Sequence, residues 1–119
     1  MADRWTALNE FWNGFGLDAY DETTVPDGAQ LPYITYSASV SDMDDPVILT
    51  ASLWYRSNSW AEVSQKAEEI SEAIGGGMGV HYDGGRLWVV KGSPFAQRLG
   101  DEYDLQMRRI VLQVIAEYQ

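Results

Sequence analysis

Residues 59–74 constrain this chain most. Trp60, Val63, Ala67, Ile70 and Ile74 recur at three- and four-residue spacing, the single apolar stripe of a helix lying on a core. Ser59 and Glu62 have the Ser-x-x-Glu spacing of a capping box. Glu62 and Lys66 are spaced i, i+4 on the surface, and Gly75 supplies a stop. A helix with one apolar stripe needs a second layer to bury it against. The neighbouring segments supply strands for that layer.

Tyr33–Val40 alternates, with Ile34, Tyr36, Ala38 and Val40 on one side and Tyr33, Thr35, Ser37 and Ser39 on the other. Val47–Arg56 is rich in β-branched and aromatic residues and reads as a second strand. Residues 79–92 read as a hairpin turning at Asp83-Gly84-Gly85. Residues 103–118 read as a long final strand dense in Ile and Val, although so short an apolar run also fits helical periodicity. Near the start, Trp5, Leu8, Phe11 and Trp12 share one helical face over residues 3–13, with Asp3 as N-cap and Gly14 as stop. Thr23–Gly28, Ser41–Pro46 and Ser93–Glu102 read as loops, the first marked by Pro26-Asp27-Gly28 and the last by Pro94. The expectation is an α+β fold over residues 1–119, a single domain with two helices packed on a largely antiparallel sheet.

The 18 Asp+Glu against 8 Lys+Arg give a net charge of −10 with His neutral. Such a surface repels phosphate backbones and anionic lipid, so tight nucleic-acid or membrane binding is disfavoured. There is no cysteine, hence no disulfide and no thiolate metal site. The start Met1-Ala2-Asp3-Arg4-Trp5 lacks the pattern of a secretion signal, and no apolar run approaches the roughly 20 residues of a membrane span. The expected location is the cytoplasm in which the chain is made, or an assembled particle.

Candidate chemistry is thin. His81 is the lone histidine, on a hairpin strand, and Asp83 beside it is a turn residue, so a structural or surface role is the expectation. Asp42, Asp44 and Asp45 form a small acidic cluster, and calcium loops use Asp at alternate positions, but Val47 and Leu53 stand where such a loop needs Gly and Glu. Gly75-Gly76-Gly77-Met78-Gly79 joins helix to strand and lacks the Lys of a phosphate loop; it reads as a flexible helix exit. Glu68, Glu69 and Glu72 read as a solvated helix face rather than a catalytic carboxylate pair. Trp5, Trp12 and Trp60 are expected in the core, and Trp54 and Trp88 on strands. Tyr33 and Tyr55 are expected on outward faces, and exposed aromatics are enriched at protein interfaces. No catalytic residue, cofactor or metal is expected.

One resemblance goes further. The order of Phe15-Gly16-Leu17-Asp18-Ala19-Tyr20, Val25-Pro26-Asp27-Gly28 and Leu31-Pro32-Tyr33-Ile34-Thr35-Tyr36 continues through Leu53-Trp54-Tyr55-Arg56-Ser57-Asn58-Ser59-Trp60. It then runs through Glu69-Ile70-Ser71-Glu72-Ala73-Ile74-Gly75, Asp83-Gly84-Gly85-Arg86-Leu87-Trp88 and Gly92-Ser93-Pro94-Phe95-Ala96-Gln97 to Val114-Ile115-Ala116-Glu117-Tyr118. This ordered set resembles the tail-completion (tail-terminator) proteins of siphophages and related prophages. The resemblance implies a non-enzymatic virion protein at the head-proximal end of the tail. Its subunits would form a homo-oligomeric ring, a hexamer, that caps the tube, stops its polymerisation and offers a docking face to the head. The implied partners are other copies of the chain, the major tail tube protein and the head-completion or connector protein, with DNA passing through the lumen unbound. Loops 21–30, 41–46 and 92–102 are the expected contact segments, with Asp42, Asp44, Asp45, Tyr33, Tyr55, Pro94 and Phe95 as candidate interface residues; the three aspartates are expected to face the lumen. A head-completion or stopper ring is the nearest alternative, and a small acidic inhibitor or binding protein a more distant one.

Overall fold

In the computed structural model, which describes residues 3–37, 47–100 and 106–118, the chain forms two helices and six strands. They are α1 (Arg4–Asn13), β1 (Asp18–Asp21), β2 (Tyr33–Tyr36), β3 (Val47–Arg56), α2 (Ala61–Ile74), β4 (Met78–Tyr82), β5 (Gly85–Gly100) and β6 (Met107–Tyr118). The strands make one sheet in the order β1-β2-β3-β6-β5-β4. The β1–β2 pair is parallel and the others are antiparallel. The fold is thus α+β with a mixed, largely antiparallel sheet.

β3 and β6, the two longest apolar runs, lie side by side at its centre, where both faces of a strand can bury residues. Alternate positions from every strand turn to one face. Leu53 pairs with Ile34 on one side and Ile110 on the other, and Ala51 with Tyr36 and Leu112. Both helices pack on that face. Val63, Ala67, Ile70 and Ile74 of α2 and Ala7, Leu8, Phe11 and Trp12 of α1 join one core with Leu49, Leu87, Val89 and Val114. α1 touches both β1 and β4, the outermost strands of the order, so the sheet curls around that helix. Trp12 is fully buried there, stacked on Tyr36 at 6.5 Å.

Several sequence expectations are corrected by this arrangement. Trp5 is exposed, not core, because the buried face of α1 runs through Ala7, Leu8, Phe11 and Trp12 and leaves Trp5 at the rim under Arg4. α2 begins at Ala61 with Trp60 as cap residue, so the Ser59–Glu62 capping box does not form; the Ser59 hydroxyl instead accepts from the Ala61 N–H at 2.9 Å. Lys66 bonds Glu69 at 2.8 Å and donates to the Phe15 carbonyl, rather than meeting Glu62. β1 lies in residues 15–22, to which the spacing assigns no element. Residues 93–100, expected as loop because of Pro94, continue β5. The extra length is absorbed by a bulge between Lys91 and Ala96, where β5 advances five residues while β6 advances from Val114 only to Leu112. The bulge needs Gly92, since a Cβ there would lie 2.9 Å from the Gln113 carbonyl oxygen. Asp3 caps α1 and Gly14 ends it, as expected. The hairpin turns at Asp83 and Gly84, with Gly84 at φ +93°. Gly75 ends α2 at φ +55°, while Met78 and Gly79 already belong to β4, so only the first part of the glycine run is a helix exit.

Candidate functional site

The helices cover one face of the sheet; among the described residues no helix covers the other. That open face carries rows of paired side chains. Tyr33, Trp54, Arg109 and Leu99 form one row across β2, β3, β6 and β5, and Thr35, Ser52, Val111 and Gln97 form the next. Ile48, Ile115 and Val90 form a third toward the other end of the strands. The first two rows are pinned by polar contacts. The Trp54 indole N–H donates to Thr35 Oγ1 at 2.8 Å, Arg109 Nε donates to the buried Ser52 hydroxyl at 3.1 Å, and the Arg109 guanidinium lies 4.6 Å over the Trp54 ring. Tyr20 meets Tyr33 edge to face at 5.9 Å. Ile48 is 61% exposed and Leu99 37%, two of the exposed large hydrophobic residues of the molecule.

A second feature lies on the helix side. A groove of about 280 Å³ runs between α2 and the far half of β5, lined on one wall by Ser64, Ala67, Glu68 and Glu72 and on the other by Phe95 and Arg98. Two guanidinium groups lie over the Trp60 ring, that of the groove residue Arg98 at 5.2 Å and that of Arg108 at 5.3 Å. Arg98 also donates to Ser64 Oγ at 3.1 Å, and Arg108 to the Asn58 carbonyl at 3.1 Å. Such stacking holds the cations in place without discharging them.

The candidate interface residues do not converge. Tyr33 is half-buried on the open face, as expected of an outward aromatic. Tyr55 is buried on the opposite face, which corrects its assignment to an outward one. In β3 it alternates with Trp54, and Trp54 takes the outward place. Burial raises the Tyr55 phenol above its ordinary value, with the charges of Glu62 and Glu69 adding to the effect. Pro94 is exposed in the β5 bulge and Phe95 lines the groove, one face away from Tyr33. Asp42, Asp44 and Asp45 lie outside the described residues.

His81 is exposed on β4 beside Arg86. Among the described residues no three His, Cys, Asp or Glu side chains gather as metal ligands, and no helix is long and apolar enough to cross a membrane. Glu68, Glu69 and Glu72 all lie on the exposed side of α2. Sequence reasoning missed the Arg98–Trp60–Arg108 stack. Its members are 38 and 10 residues apart in number, and only the β5–β6 register, with Arg98 opposite Ile110, brings them together. No family model, curated protein or solved structure matches the chain.

Proposed function

We propose that this protein is a non-enzymatic subunit of a ring that completes the tail of a long-tailed phage. In this reading the ring caps the tail tube, halts its growth and receives the head. The observation that carries the reading is the uncovered sheet face. It holds Tyr33 and Trp54 half-buried in one row with the exposed Leu99, and Ile48 exposed in a separate row toward the other end of the strands. Exposed large apolar side chains on a face no helix covers are suited to contact with another protein. The chain's order of segments, which resembles tail-completion proteins, supplies the identity of that contact. A ring of identical subunits uses a heterologous contact, one patch on a different patch, repeated until it closes. The negative net charge suits a lumen through which DNA must pass without sticking.

The test is electron microscopy of lysates from a phage or prophage deleted for the gene. Overlong tail tubes beside separate full heads are the expected result. Tails of normal length beside emptied heads would move the protein to the head side of the joint, as a head-completion ring. Normal infectious particles would overturn virion assembly altogether.

A further inference from the structure

The two halves of β5 differ in what lies outside them. Residues 85–89 pair with β4, but residues 96–100 extend past the end of β4 and, among the described residues, pair only inward, with β6. Which backbone groups face out follows from the ladder. The Ser57 N–H donates to the Gln106 carbonyl at the start of the β3–β6 pairing. Bonded positions alternate in an antiparallel ladder, so Arg108, Ile110 and Leu112 aim their peptide groups at β3, while Arg109 and Val111 aim theirs at β5. Their partners Leu99 and Gln97 bond inward. Ala96, Arg98 and Gly100 therefore turn their N–H and C=O groups outward, along a stretch whose side chains are all exposed.

An exposed strand edge is a template for another strand. This one borders the groove against α2. The edge, the apolar lining of the groove at Phe95 and Ala67, and the charged stack make a surface of the kind that takes an extended peptide by strand addition. The stack also selects the partner. Arg98 lines the groove, and Arg108 stands over the same Trp60 ring on the helix side. In the sequence, Gly100 is followed by Asp101, Glu102 and Asp104. Glu68 and Glu72 line the α2 wall further along, which polarises the groove.

We infer that the outer edge of residues 96–100, with the α2 groove, binds an extended segment of another protein by strand addition, apolar in the groove and carrying a carboxylate beside Arg98 and Arg108. This does not rest on the ring reading. The probe is a labelled peptide alternating valine and threonine with two glutamates at one end, compared with its lysine counterpart, added to the whole chain. Amide exchange read residue by residue should slow about tenfold at Ala96, Arg98 and Gly100, with the His81 amide unchanged. The glutamate peptide should bind about tenfold more tightly than the lysine peptide, and Arg98→Glu should reverse that order. Ala96→Pro, which removes one outward donor without cutting the ladder to β6, should weaken binding of both. Unchanged exchange at the three amides overturns the proposal, as does equal affinity for the two peptides. Protection of the same amides that rises with protein concentration alone would seat a second copy on the edge and overturn the assignment to a foreign segment. None of these outcomes touches the deletion phenotype that tests the ring.

Discussion

Gly77 lies at φ +148°, and a Cβ on it would overlap the Trp88 ring. Backbone and neighbour thus both require glycine there. Gly77→Ala should cost about 3 kcal/mol, read as a lowered urea midpoint with an unchanged slope. Tyr55 gives a test with a sign. Its phenol is raised in the folded chain, first by burial and then by Glu62 and Glu69. A raised value means that the stabilisation is complete below the ordinary tyrosine range and drains away as pH climbs through the folded value. Denaturation from pH 8 to 11 should show stability falling above about pH 10, and Tyr55→Phe should flatten that fall. Asp21 carries the opposite sign. The Thr23 N–H and hydroxyl both donate to its Oδ1 and hold its carboxyl below the usual range, so its contribution is present above the ordinary carboxylate range and lost as pH falls further.

Among the elements, β1 shows how an edge is closed without another strand. The Ala19 N–H donates to Asn13 Oδ1 at 3.0 Å, and the Ala19 carbonyl accepts from the amides of Asn9 and Asn13. The side chain of Asn13 stands where a neighbouring strand's peptide would be. Asn13→Ala should cost about 1 kcal/mol and raise the rate of aggregation, measured by light scattering at matched fractions folded. The same element marks where sequence reasoning stops. α2, β2, β3 and the 79–92 hairpin could be read from the chain because their periodicity reports a buried face directly. β1 could not, since Asp18-Ala19-Tyr20-Asp21 buries only Ala19 and owes its pairing to β2 and to α1. Residues 93–100 misread for a related reason: Pro94 breaks a ladder locally, but a bulge lets the strand resume, and nothing in the spacing announces the partner that waits in β6. Of the candidate contact residues, Tyr33 was legible by alternation, whereas the turning of Tyr55 inward and of Trp54 to the open face depends on β3 lying under α2.

For the molecule as a whole, the layers are asymmetric: helices and core lie on one side of a curled sheet, and among the described residues the other side carries no helix and mixes Tyr33, Trp54, Ile48 and Leu99 with Arg109, Thr35 and Gln97. If that surface is the subunit contact, a charge placed on it should spare the fold and spoil the assembly. Ile48→Asp changes a side chain that is already mostly in water, so stability should stay within about 0.5 kcal/mol. Particle assembly in a complementation assay should fall sharply, while circular dichroism stays that of the parent chain. Full complementation by this variant would place the contact elsewhere.

The Asn13 amide has a further consequence. Because it fills the place of a neighbour on β1, that margin cannot serve as the incoming strand for the bare margin at residues 96–100 of another copy. Sheet growth between identical molecules by this route is therefore a dead end, and a crowded solution of the protein has no path to a fibre through these two margins.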